Sequence, residues 1–367
     1  MNSRIVISST ITRLRFPLTL LVVMIHTNLA ASFYARGVEY HIISDTAKFI
    51  VQLFSNTLGQ LAVPIFFVIS GYLFAAKVNS CNDWLLELKK RTRTILLPYI
   101  VWNTLGLLMV LVTKLPVLSN FFPNVIEDPL TLGVALKGYW ANSYGIDVEK
   151  ATLVAPWDMP LWYIRDLVVM FILTLVILWL HDRFGLLWIV LSMAIYMIIP
   201  SSLLIPGISG TSLLFYTLGV YVLKDNWGGH IVGVTHRKCW ILMGLFLMMT
   251  VYANVETNIY FAKAYRLVGA LLLFMIFANN RKDDDKLSPA TLFFASSSFF
   301  LYAAHTLYNG IITKIMIVLL KIPQEVGFGY TMIIYWGSVI LTAIIALFFY
   351  NLVKRNRFLS LLLTGGR

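Results

Sequence analysis

Long apolar runs separated by short polar punctuation make up most of this chain. Runs near 18 to 20 residues lie at about 14 to 34, 57 to 76, 94 to 113, 161 to 180, 185 to 204, 207 to 223, 239 to 256, 258 to 279, 290 to 313 and 330 to 352. About 20 apolar residues rising 1.5 Å each span the roughly 30 Å hydrocarbon core of a bilayer. The runs are continuous rather than alternating with period two, which argues against a membrane β-barrel. The pattern predicts an all-α, polytopic membrane bundle of about ten transmembrane helices. No repeat of fixed period and no matched pair of interrupted helices divides the chain as in many transporters, so residues 1–367 read as one integral-membrane domain.

Charge placement orients the bundle. With the N-terminus inside and the spans alternating, 19 of the 29 Lys and Arg and 7 of the 17 acidic residues fall on the cytoplasmic side, leaving ten of each outside. The whole net charge of +12 then sits on one face, in keeping with the excess of Lys and Arg in cytoplasmic loops, and both termini are cytoplasmic. The same positive face suits anionic headgroups, which makes membrane lipids expected partners.

Composition narrows the class further. A chain with 59% hydrophobic and 13% charged residues is no ordinary soluble domain, and it has no P-loop, dinucleotide fingerprint or nucleic-acid module, so no nucleic-acid partner is expected. The first apolar run lacks a small-residue cleavage site and reads as a retained span rather than a signal peptide. Cys81 and Cys239 both map to the cytoplasmic side, where disulfides are disfavoured. The six histidines fall into no metal-ligand spacing, and no metal site is expected. Two outer loops are long, about 35 to 56 and 114 to 160. The second carries Pro116, Pro123, Pro129, Pro156 and Pro160, with Tyr139, Trp140, Tyr144 and Trp157, aromatics that suit an interfacial belt or stacking on a sugar. The Asp283–Asp285 run reads as a solvated turn.

Several polar constellations interrupt the apolar pattern. Arg15-x10-His26 places two ionisable groups on one face of the first span, about 16 Å apart along the axis, with Thr19 and Val22 between them. Such residues usually face a bundle interior or a reaction centre. Span two holds Ser70 and Gly71 within Phe66–Tyr72; the glycine permits close helix approach, and the hydroxyl lies beside that gap. The run Lys89-Lys90-Arg91-Thr92-Arg93, ahead of Pro98, suits an anion bearing several phosphates. Span four opens with Trp162, Arg165 and Asp166, and Arg266 in span eight is similarly placed, where snorkelling to the outer leaflet is also open to it. In span nine, Ser298, Tyr302, His305 and Asn309 share one helical face, a stripe that interhelical hydrogen bonding explains as readily as chemistry does.

Taken in order, these pieces resemble the acyltransferase-3 family of integral-membrane O-acyltransferases. The resemblance rests on Arg15-x10-His26, Phe-Phe-Val-Ile-Ser-Gly-Tyr at 66–72, the basic run before Pro98, Leu-Trp-Tyr-Ile-Arg-Asp at 161–166 and Phe-Leu-Tyr-Ala-Ala-His at 300–305, and covers nearly the whole chain. It departs at Arg165-Asp166, where many members carry a Trp-x-Leu-x-Val-Glu type segment, and is closer there to the compact surface-polysaccharide branch. It implies transfer of an acyl group, expected to be acetyl, from cytoplasmic acyl-CoA to a hydroxyl of a cell-surface glycan or its lipid-linked precursor, in a bacterial cytoplasmic (inner) membrane. Acyl-CoA is then a donor substrate, with no permanently bound cofactor. The resemblance also implies that Arg15 and His26 match the family's functional pair.

Acyl transfer to an alcohol needs a base for the hydroxyl proton and donors for the tetrahedral oxyanion. His26 is the expected base, because a neutral imidazole accepts a proton near physiological pH. Arg15 is expected to hold CoA phosphates, with Lys90, Arg91 and Arg93 completing a phosphate clamp. Ser70, Trp162, Arg165, Tyr302 and His305 are the expected acceptor-orienting or oxyanion residues. The alternative class is a transporter or flippase for a lipid-linked saccharide or acyl intermediate, its conduit lined by the same residues; acidic residues within spans would favour it, and Asp166 is the one candidate.

Overall fold

The structure, a computed structural model, describes residues 3–34, 43–113, 115, 131–140, 146–147, 152–153, 156–199, 205–232, 236–279, 287–323 and 326–366. Helix α1, Ser3–His26, is followed by the short α2, Leu29–Tyr34. Helix α3, Asp45–Gln52, continues through a widened turn at Leu53–Leu58 and a tight one at Gly59–Leu61 into α4, Ala62–Ala75. Helix α5, Cys81–Arg91, passes through a second widened turn at Thr92–Leu96 into α6, Leu97–Thr113. After α7, Leu132–Lys137, come α8, Trp162–Phe184, α9, Leu186–Ile198, and α10, Gly210–Lys224. The remainder is α11, Gly228–Ile231, α12, His236–Val255, α13, Ile259–Asn279, α14, Pro289–Leu319, α15, Phe328–Val353, and α16, Arg357–Thr364. A two-residue antiparallel pair, Ile146–Asp147 with Thr152–Leu153, is the strand content among the described residues.

Over their described residues the ten apolar runs are mainly helical, the first divided between α1 and α2. Seven helical stretches among the described residues are long and apolar enough to cross a membrane: Arg4–His26, Asp45–Ala75, Cys81–Val112, Met159–Phe184, Lys238–Val255, Ile259–Asn279 and Phe328–Val353. The other three runs fall short for different reasons. The 13 residues of α9 and the 15 of α10 rise only about 20 Å, less than the hydrocarbon core. The 31 residues of α14 are ample in length, but the stripe from Ser298 to Asn309 dilutes their hydropathy.

One expected loop is helical in large part. The path into span two begins at Asp45, so much of the 35–56 loop belongs to a membrane helix; residues 35–42 lie outside the described residues. The basic run sits on α5 and the turn after it, a helix that starts where the Ser80 hydroxyl accepts from the Asp83 N–H at 3.1 Å. Pro116, Pro123, Pro129, Tyr144 and Asp283–Asp285 lie outside the described residues.

Backbone contacts group the chain into two compact units, Met1–Ile69 with Tyr221–Tyr350, and Ser70–Val220 with Asn351–Arg367. Lipid is as apolar as leucine, so close packing and hydrogen bonds hold such units together. In the first, α1 runs along α14, burying Leu14, Leu18 and Val22 with Leu301 and Ala304. The helix pair α12 and α13 is tied by the Thr250 and Tyr265 hydroxyls at 3.0 Å. In the second unit, Phe74 of α4 stacks on Phe171 of α8 at 4.5 Å between centroids. The α16 cap closes on α6, where the Trp102 indole donates to the Leu363 carbonyl at 2.9 Å.

Candidate active site

Helix α1 carries both Arg15 and His26 without interruption, although Pro17 lies inside it. Between them the Thr19 hydroxyl donates to the Arg15 carbonyl at 2.9 Å, turning back onto its own helix, and Val22 is buried. Arg15 and His26 are each half-buried. The two groups keep the one-face placement that an eleven-residue interval gives a helix.

The ring of His26 packs against that of His305 on α14, with centroids 5.2 Å apart and planes tilted by 51°. His305 is fully buried. Its Nδ1 lies 2.7 Å from the Tyr302 carbonyl and 3.3 Å from that of Leu301. A carbonyl can only accept, so Nδ1 bears the hydrogen and the neutral ring is fixed as the tautomer whose Nε2 is an acceptor. That Nε2 is buried without a hydrogen-bond partner. His305 in this form offers an oxyanion no N–H, which changes its expected role. Tyr302 packs beside it, ring centroids 6.3 Å apart.

The floor below this pair is polar and satisfied. The Asn309 amide donates to the Thr27 hydroxyl at 3.0 Å and accepts from the Thr342 hydroxyl at 3.2 Å, linking α14 to the end of α1 and to α15. The Ser298 hydroxyl donates to the Phe294 carbonyl of its own helix at 2.9 Å. Two further residues escaped the sequence reading: the Tyr335 hydroxyl lies 2.8 Å from Ser55 Oγ, which itself donates to the Met24 carbonyl at 2.7 Å, two residues before His26. Nothing in their spacing marks them, since Ser55 lies in what the pattern treats as a loop.

The remaining expected residues belong to the second unit. The Ser70 and Tyr163 hydroxyls are 3.2 Å apart, and a Cβ on Gly71 would collide with the Tyr216 carbonyl, so this glycine serves close helix approach. Lys90 and Arg93 are exposed. Arg91 is instead held within the protein, 3.5 Å from Glu87 and over the Phe74 and Phe171 rings at 5.9 and 5.3 Å. Arg165 donates through Nε and Nη2 to Asp166 Oδ1 at 3.1 and 2.8 Å, a buried pair in the first turn of α8. Trp162 precedes it, half-buried.

The loop aromatics divide. The Trp157 indole donates to the Ala135 carbonyl at 2.9 Å and is buried, and the Tyr139 and Thr104 hydroxyls lie 2.8 Å apart, so both fasten the loop. Trp140 is exposed. Among the described residues no group of three or more His, Cys, Asp or Glu side chains could hold a metal ion, and Cys81 and Cys239 are free thiols.

Comparison with known proteins adds one match. A family model described as an acyltransferase domain matches residues 10–352, which include Arg15, His26 and His305. No curated protein and no solved structure matches the chain. A match over nearly the whole chain, on a framework of apolar helices, means that the protein belongs to the acyltransferase-3 family of membrane acyltransferases.

Proposed function

We propose that this acyltransferase works in a bacterial cytoplasmic membrane, moving an acetyl group from cytoplasmic acetyl-CoA to a hydroxyl of a cell-surface glycan or its lipid-linked precursor. The observation that carries the reading is the His26 imidazole, packed on buried His305 at the end of a helix that also bears Arg15. His26 takes the proton of the acceptor hydroxyl as its oxygen attacks the thioester carbon. The carbon–sulfur bond then breaks, and the departing thiolate recovers the proton from His26. Arg15 engages the phosphates of CoA by charge-assisted hydrogen bonds, about 16 Å along α1 from the reacting group, and the extended pantetheine arm bridges the interval.

Replacing His26 by Gln tests the reading. A general base contributes roughly 10²- to 10⁴-fold to rate. Surface glycans from cells expressing His26→Gln should therefore lose their acetyl groups by mass spectrometry, while the folded protein accumulates normally and binds acetyl-CoA. Near wild-type acetylation by well-folded His26→Gln protein would remove His26 from the chemistry and favour a conduit through the same residues.

A further inference from the structure

Histidine 305 has one lone pair too many for a packing residue. Its Nδ1–H is committed to the carbonyls of Tyr302 and Leu301, which fixes both the tautomer and the ring plane. The acceptor that remains, Nε2, is buried and unpartnered. Buried polar atoms in proteins are overwhelmingly hydrogen-bonded, and an exception calls for a cause. The ring it adjoins is that of His26, 5.2 Å away between centroids, near enough for a bond between the two imidazoles once a ring nitrogen of His26 turns towards Nε2. The two planes are tilted by 51°, and the bond is not made in this arrangement. Catalytic hydrogen bonds are often misaligned in the free enzyme and tighten once substrate binds.

We propose that His305 is a positioning residue: when substrate is bound, its Nε2 accepts an N–H from His26 and holds His26 in the tautomer whose other nitrogen is free to take the acceptor's proton. The inference rests on His26 being the base. The hydroxyl proton passes to the free nitrogen of His26, the resulting imidazolium keeps its other N–H on His305 Nε2, and the same proton later leaves with the CoA thiolate. His305 neither gains nor loses a proton. It does for His26 what an ordering partner does for metal-bound or triad histidines, with a buried imidazole in place of a carboxylate.

Two substitutions separate this role from packing. His305→Asn keeps a polar group near the Nδ1 position and deletes the acceptor, whereas His305→Gln can place an amide oxygen near the position of Nε2. Membrane vesicles from the producing cells, with their endogenous acceptor, are given radiolabelled acetyl-CoA, and folded protein is quantified. His305→Asn should lower kcat roughly 10- to 100-fold, as loss of an orienting partner does, with the KM for acetyl-CoA unchanged; His305→Gln should recover part of the loss. In parallel, 15N spectra of purified, histidine-labelled protein with bound acetyl-CoA should give one His26 tautomer in the wild type and a mixture in His305→Asn. Wild-type kcat per folded molecule in His305→Asn, or an unchanged His26 tautomer in it, overturns the positioning role and leaves His26 as the base. If His305→Asn fails to fold, His305→Leu, which fills the space without an acceptor, decides: wild-type kcat per folded molecule or an unchanged His26 tautomer in it also overturns the role. Activity retained by His26→Gln overturns the base assignment and this inference with it.

Discussion

Asn309 offers the sharpest test of which part of the α14 stripe is structural. Its side chain makes two interhelical hydrogen bonds, to Thr27 after α1 and from Thr342 on α15. The threonines differ in what they lose with it. Thr27 still donates to the Val23 carbonyl at 2.9 Å, whereas the fully buried Thr342 hydroxyl is left seeking a carbonyl on its own helix. Interhelical hydrogen bonds inside membranes contribute about 0.6 kcal/mol on average and about 1.7 at most. Asn309→Ala should therefore cost about 1 to 3 kcal/mol, while Asn309→Leu, which refills the volume, should cost less. Unfolding of the purified protein by titration from mild detergent into a denaturing one measures the difference, and glycan acetylation is normalised to folded protein. Both variants should keep transfer per folded molecule within about twofold, well under the tenfold that 1.4 kcal/mol represents. Asn309→Ala with wild-type stability and abolished transfer would refute the reasoning and place Asn309 with the reacting groups.

Two other outcomes follow from the geometry. Arg15→Ala should weaken acetyl-CoA binding roughly 10- to 100-fold, since a hydrogen bond to a charged group contributes about 1.5 to 3 kcal/mol, and wild-type affinity should fall with added salt; acetyl-CoA should serve inside-out vesicles and not right-side-out ones, and unchanged affinity or the opposite sidedness would contradict the donor assignment. Gly71→Ala should destabilise the protein by about 1 to 3 kcal/mol or more, because the added methyl meets the Tyr216 carbonyl, a backbone atom that no rotamer change moves aside; thermal unfolding at wild-type temperature would show that the α4 backbone relaxes.

The positions of the helices were legible because the bilayer makes apolar length decisive. The residues that misled the pattern were polar ones with work inside the protein. Ser55 interrupts the apolar pattern before span two and Thr57 opens that span, yet both are buried, Ser55 against Met24 and Tyr335 and Thr57 on the Asn254 amide at 2.8 Å, so a helix already occupies what composition reads as a loop up to residue 56. At α5 a signal was present and went unused: Ser80 and Asp83 form the S-x-x-D start of a capped helix, with Asp83 also accepting from the Asn79 N–H at 3.2 Å. The fate of Arg91 was not legible. Its charge reads as ligand-facing in sequence, and only the fold brings Phe74 and Phe171 under it. Likewise the spacing of Arg15 and His26 names one helix face, while the meeting of His26 with His305 joins spans far apart in the chain and no local periodicity encodes it.

The α14 stripe, taken residue by residue, then separates fold from chemistry. In hydrocarbon every polar group must find its partner within the protein. Ser298 does so on its own helix and Asn309 on two neighbouring segments, and each is explained by the partner it has. His305 satisfies Nδ1 in the same way and leaves Nε2 with nothing. An unsatisfied buried acceptor costs about 1 to 3 kcal/mol, and a leucine or phenylalanine would fill the same space at no such cost. Packing therefore accounts for the place of His305 in the bundle and fails to account for its imidazole. The ring packed against it on one side is that of His26, whose N–H is a donor for the spare lone pair. That is the side from which an acceptor hydroxyl has to arrive if His26 is to take its proton, so the unsatisfied atom and the proposed base point to one reaction centre.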